Sequence, residues 1–236
     1  MKMTAAGPSP PQQSFSYRIV AFLSRLQVRY LLTLTRHQHL VSMVFVLASG
    51  ATAIGIITFM AWLTDLPLLF PPLGPSAFIL FYTPLAENAC PRNVILAHGL
   101  AVCCGLAAFH GAAAIFGASE TPDTFNWHSV AAMVTAMASV SLAMVALRCV
   151  HPPAAATSLI AAMGYVENSV QGVGIMAAVL LLVAAAIVFN RYIGGLPYPF
   201  WGFDPHVLRS YSHLAGLPAV GRSRWQQMAQ AIFQRR

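Results

Sequence analysis

Two stretches decide the fold. They are Leu66-Pro67-Leu68-Leu69-Phe70-Pro71-Pro72-Leu73-Gly74-Pro75-Ser76-Ala77-Phe78-Ile79-Leu80-Phe81 and His151-Pro152-Pro153-Ala154-Ala155-Ala156-Thr157-Ser158-Leu159-Ile160-Ala161-Ala162-Met163. Each is apolar yet too short for a full spanning helix, which needs roughly 20 residues. Each carries a proline pair, which removes backbone donors and leaves polar groups that lipid cannot satisfy. At an offset of 81 residues, Pro71 and Pro72 fall on Pro152 and Pro153, Ser76 on Thr157, and Phe78 and Ile79 on Leu159 and Ile160.

Long apolar segments at 40–63, 94–117, 128–147 and 171–190 flank these stretches, each long enough to cross a bilayer. The order span, Pro-Pro segment, span therefore occurs twice. Of the residues, 58% are hydrophobic and 8% charged, and the net charge is +7. So little charge cannot cover a water-facing surface, which argues against a soluble enzyme and a disordered chain. The arginines cluster at the two ends rather than on an interior patch. That pattern points to anionic lipid at a cytoplasmic face and not to nucleic acid. Cys90, Cys103, Cys104 and Cys149 lie in or beside apolar runs and read as small buried residues.

Charge placement orients the chain. Arg18, Arg25, Arg29 and Arg36 put the N-terminus in the cytoplasm. Glu120 and Asp123 put the loop 118–127 outside, while Arg92, Arg148 and Arg191 belong on the inner side. Three crossings before residue 118 satisfy this, so the first Pro-Pro segment runs from outside to inside and the second runs back. The alternative is that both are re-entrant. The expected fold is an all-α membrane protein: a helical bundle of two inverted repeats, with four long spans and two short broken crossings. The expected order is a disordered N-terminus (1–14), an amphipathic interfacial helix (15–39), membrane repeat one (40–117), an external loop (118–127), membrane repeat two (128–192) and a basic cytoplasmic tail (193–236).

Proline is favoured at the first helical position, so Pro72 and Pro153 read as starts of two short helices. Their first turns hold Leu73, Gly74 and Ser76 in one and Ala154, Ala155 and Ala156 in the other. Unsatisfied N–H groups and the positive helix end suit an anion there, although Pro75 removes one donor. Ser76 and Thr157 either offer hydroxyls to a ligand or bond their own helix backbone. His151 either donates to an anion and exchanges protons, or caps local carbonyls. His98 and His110 share the second long span, with no spacing that favours a metal. Arg92 and Arg148, with Asn93, either steer an anion at the inner mouth or mark the membrane boundary. Glu87 and Glu167 either couple protons or end loops. The expected substrate site is thus His151, Pro152, Pro153, Ala154, Ala155, Ala156, Thr157, Gly74, Ser76, Arg92, Asn93, His98 and Arg148. No catalytic residue, cofactor or metal is expected, because no nucleophile–base pair or metal motif is present.

Four blocks in order carry a family resemblance: Pro72-Leu73-Gly74-Pro75-Ser76-Ala77; Pro91-Arg92-Asn93-Val94-Ile95 with His98; His151-Pro152-Pro153-Ala154-Ala155-Ala156-Thr157; and Asn190-Arg191 with Tyr198-Pro199. Over roughly 40–200 the chain resembles the HPP family of bacterial, cyanobacterial and plastid integral membrane proteins. Photosynthetic members are implicated in nitrite transport, so the resemblance implies a transporter of a small inorganic anion, nitrite by name. The family often has Gly where this chain has Leu96 and Ala155, and Ala where it has Pro75; Leu96 is expected to narrow any pocket beside it. The family is usually described with four spanning helices, so six crossings is a separate expectation. The resulting picture is a bacterial inner-membrane transporter with both termini cytoplasmic, free to form a homo-oligomer. An anion channel of the same fold and a non-transporting structural membrane protein are the alternatives.

Overall fold

The computed structural model describes residues 27–28, 30–31, 36–117, 126–166 and 169–207. Among them are six α-helices and no strand. In chain order these are α1 (Gln38–Thr64), α2 (Leu73–Tyr82), α3 (Pro91–Phe116), α4 (Trp127–Ala146), α5 (Pro153–Ala162) and α6 (Ser169–Ile187). α6 continues as a π-helical turn, Val188–Ile193. Four helical stretches are long and apolar enough to cross a membrane: His39–Thr64, Pro91–Phe116, Trp127–Ala146 and Val170–Ile193. Leu73–Tyr82 and Pro153–Ala162 are the two short apolar helices. Large side chains such as Leu47, Trp62, Val134, Leu142 and Val173 point outward from the long helices, as lipid-facing residues do.

The helix limits have local causes. α1 stops at Asp65, which takes the left-handed conformation (φ 52°) just before Leu66 and Pro67. α3 has Pro91 in its first turn, where the missing N–H is harmless, and stops at Gly117 (φ 85°). α4 is capped by the Asn126 side chain, which accepts from the Ser129 N–H at 3.0 Å. Pro153 opens α5, and Pro72 immediately precedes α2. The first long helix begins at Gln38, so the last residues of the segment 15–39 belong to α1. The rest of the interfacial helix, residues 1–14, the loop residues 118–125 and the tail beyond 207 lie outside the described residues, apart from a few positions between 27 and 36.

The two short helices sit in different surroundings. α2 packs against α1 and α6 in a core of large side chains that includes Ile57, Leu80, Phe81, Leu182 and Tyr198. α5 packs against α3 and α4 in a slot lined by Ala97, Ala101, Ala108, Ala132 and Ala136. At Gly105 of α3 an added Cβ would lie 2.5 Å from the Ser158 carbonyl oxygen and 2.6 Å from the Ala161 Cβ, so only glycine allows this approach. Among the cysteines, Cys90 and Cys149 are buried, but Cys103 is exposed on the outer face of α3, contrary to the reading of all four as buried.

Several element ends gather at one level. Asn190, at the end of α6, donates to the Leu80 carbonyl near the end of α2 (3.0 Å). Arg92, at the start of α3, donates to the carbonyls of Leu147 (3.3 Å) and Arg148 (3.1 Å) past the end of α4. Phe45 of α1 packs with Leu196. Elsewhere, Gly174 near the start of α6 approaches the Pro67 carbonyl ahead of α2.

Candidate functional site

Ser76, His98, His151 and Thr157 come together, and each is fully buried at 0% exposure. Ser76 Oγ lies 3.1 Å from His98 Nε2 and 3.0 Å from His151 Nε2. It also lies 2.9 Å from the Pro72 carbonyl oxygen. The other nitrogen of His98, Nδ1, is 2.9 Å from Thr157 Oγ1. His151 Nδ1 is 2.7 Å from the Asn88 carbonyl oxygen. A carbonyl only accepts, so His151 Nδ1 carries a hydrogen and donates it. The two rings stand 5.2 Å apart, centroid to centroid.

Backbone geometry brings these groups together. Ser76 sits on the first turn of α2 and Thr157 on the second turn of α5. His98 reaches in from α3. His151 arrives by a sharp reversal after α4. There Arg148 takes a left-handed conformation (φ 49°), and the Cys149 N–H bonds back to the Met144 carbonyl at 3.0 Å. Arg92 covers carbonyls that the end of α4 leaves unpaired, as a cation near a helix C-terminus does well.

The turn holding Asn88 is itself latched. Asn93 Nδ2 donates to the Glu87 carbonyl (3.0 Å), and Tyr198 donates its hydroxyl to the Ala89 carbonyl (2.7 Å). Arg191 donates to the Tyr198 carbonyl (2.5 Å), and its guanidinium lies 3.9 Å over the Phe200 ring. Burial pushes the Tyr198 hydroxyl well above the usual phenol range, so it stays a fixed donor. Burial also pushes the Cys90 thiol up, against the lowering effect of hydrogen bonding at Asn93 and of the Arg92 charge.

The remaining expected site residues fall around this cluster rather than in it. Gly74 is exposed, and a Cβ there would meet nothing within 4 Å. Two residues amount to about 200° on a helix, which puts Gly74 on the face opposite Ser76. Pro152 and Ala156 are exposed, Ala155 is half-buried, and Pro153 and Ala154 are buried. The first-turn N–H groups expected to hold an anion already have partners. Ala154 donates to the His151 carbonyl and Ala155 to that of Pro152, both at 3.0 Å. Leu73 and Gly74 donate to the Phe70 and Pro71 carbonyls at 3.1 and 3.2 Å. Asn93 and Arg92 form a supporting ring. Arg148, His110 and Glu87 are exposed, and Glu167 lies outside the described residues. Leu96 is exposed too.

Phe70 is a further neighbour. Its ring meets His98 edge-on at 5.9 Å, and it lines a cavity of about 310 Å³ together with Pro67, Pro71, Ile160, Tyr165 and Gln171. The sequence holds a signal for it: the offset of 81 residues places Phe70 on His151. The Asn88 carbonyl has no such signal, because any residue type supplies one. Among the described residues no group of three or more His, Cys, Asp or Glu side chains is placed to hold a metal ion.

The fold and site together define an integral membrane protein in which two short helices meet at a buried polar junction inside a bundle of four candidate spans. The HPP transmembrane region family matches residues 35–199, and the chain belongs to that family. The matched residues contain all four blocks around the junction. A transmembrane protein of Dictyostelium discoideum is 28% identical over 142 residues, covering 58% of this chain and 46% of that protein. The chain thus spans about half the length of this curated relative. No solved structure matches the chain.

Proposed function

We propose that this chain is a carrier of a small inorganic anion, nitrite being the first to test, and that the anion binds where the N-terminal ends of α2 and α5 meet. One observation carries the reading. Ser76 and Thr157, related by the repeat, bond the two opposite nitrogens of the same buried histidine, His98. Each inverted half contributes one short helix and one hydroxyl to a single polar centre, as substrate sites of many secondary transporters are built.

The packing supports the inverted repeat with its six crossings. α2 lies against α1 of its own half and α6 of the other, while α5 lies against α4 of its own half and α3 of the other. In this reading both termini face the cytoplasm of a bacterial inner membrane, with Arg92, Arg148 and Arg191 on that side. The cavity beside Phe70 is then the outer approach. The four polar side chains satisfy one another, so an anion enters only by parting them. Ser76 and Thr157 then turn their hydroxyls to the anion, and the histidine N–H groups complete its shell. Parting and reclosing a buried junction favours a carrier over an open channel.

The test is nitrite uptake into proteoliposomes by wild type and by His151→Ala. The expected result is uptake above empty vesicles for wild type and background uptake for the variant. Equal uptake by all three would sink the reading.

A further inference from the structure

Ser76 has one hydroxyl hydrogen and three neighbours that want it or offer their own. Its Oγ lies 2.9 Å from the Pro72 carbonyl oxygen, 3.0 Å from His151 Nε2 and 3.1 Å from His98 Nε2. Donor accounting allows two complete arrangements. In the first, His151 is neutral. Its Nδ1–H goes to the Asn88 carbonyl, so its Nε2 is bare and must accept from Ser76. Ser76 Oγ then accepts from His98 Nε2–H, and His98 Nδ1 accepts from the Thr157 hydroxyl. In the second arrangement His151 holds one more proton. Its Nε2–H now donates to Ser76 Oγ, and the Ser76 hydroxyl turns to the Pro72 carbonyl, which already stands at bonding distance. No donor is left over in either. Apart from the added proton, only a hydroxyl rotation separates them.

Resting on the transport reading above, we infer that His151 Nε2 is the binding site for a co-transported proton, taken up together with one monovalent anion.

The coupling follows from the surroundings. A buried imidazolium without a partner charge is costly, and removing one partner of a buried pair leaves an uncompensated charge. No Asp or Glu occurs anywhere in α1 to α6. Around His151, α2 offers Ser76 and α5 offers Thr157, neither of which titrates. α3 offers His98, which cannot supply negative charge, and Arg92, whose guanidinium is turned to the Leu147 and Arg148 carbonyls. α4 carries only His128, hydrogen-bonded to the Phe109 carbonyl, and α6 carries no titratable residue. Glu87 is exposed, and the buried thiol of Cys149 stands two residues before His151. Among the described residues there is no fixed counter-charge for His151, so the anion supplies it. Proton and anion enter as a neutral pair: the proton goes onto Nε2, no covalent bond to the anion forms, and both leave on the other side.

The full chain in liposomes with a trapped pH dye tests this, with sodium nitrite as probe and empty vesicles subtracted. The expected result is acidification of the lumen by one proton per nitrite, at a rate unchanged by a potassium–valinomycin potential. In His151→Gln, whose amide can bond both Asn88 and Ser76 but cannot titrate, proton movement linked to nitrite is lost. Wild-type uptake that follows the membrane potential and leaves lumen pH unchanged would overturn the coupling and leave the carrier reading standing. No wild-type uptake above empty vesicles would overturn the carrier reading and the coupling with it. The wild-type measurement decides even if the variant fails to fold.

Discussion

The two short helices begin alike and are held differently. α2 follows Phe70-Pro71-Pro72 and is fixed by bulky neighbours such as Ile57, Leu182 and Tyr198. α5 follows His151-Pro152-Pro153 and slides into an alanine-lined slot closed by Gly105. Lipid tails are as apolar as leucine, so burial alone does not fix a helix in a membrane; close backbone approach and polar bonds do. α5 has both. α2 relies on interlocking of large side chains, on Ser76 and on the bond from Asn190 to its Leu80 carbonyl. The ring ahead of α2 borders a cavity, while the ring ahead of α5 is anchored by a carbonyl. The entrance to one helix is therefore apolar and that to the other titratable, although the sequences around both correspond at an offset of 81 residues.

Substitutions that break this contrast should be graded. Gly105→Leu drives a side chain into the backbone of α5 and should cost about 3 kcal/mol or more, seen as early thermal unfolding of the detergent-purified protein. An unfolding temperature equal to wild type would mean that α5 is not seated as described. His151→Phe makes the second entrance a copy of the first and strands the Asn88 carbonyl and Ser76. It should destabilise by about 1–3 kcal/mol and abolish nitrite uptake. Ser76→Ala leaves two histidines short of a partner, whereas Thr157→Val affects one. By thermal unfolding the first should lose about 2 kcal/mol and the second about 1 kcal/mol; the reverse order would contradict the central place of Ser76. Tyr198→Phe removes one hydroxyl bond to Ala89 and should cost about 1 kcal/mol, with slowed uptake because the Asn88 turn loosens. Gly74→Ala points into open space on the outer side of α2 and should stay within about 0.5 kcal/mol of wild type.

Much of the fold was legible in the sequence because its signals are strong and local. Run length gave four of the helices, and proline pairs gave the starts of the two short ones to within a residue. The polar centre was legible in part. Ser76, Thr157, His98 and His151 are scarce polar groups in apolar runs, and such groups in lipid must find partners. Which residues of a first turn face inward was not legible. Helical phase points Ser76 inward and Gly74 outward, yet nothing in the composition of that turn fixes the phase. The tight turns that engage the N–H groups of Ala154 and Ala155 were also hidden, as was the carbonyl of Asn88, since backbone atoms leave no trace in residue identity.

The bond from Tyr198 to Ala89 has a consequence for how the protein is made. A nascent chain is made from its N-terminal end, so the segments that carry Ser76, His98 and His151 leave the ribosome before Tyr198 does. Until then the turn that positions His151 has only the clasp that Asn93 makes to the Glu87 carbonyl. Completion of the polar centre is therefore a late event, and a chain released before Tyr198 would carry every residue of that centre with one of its two fastenings missing.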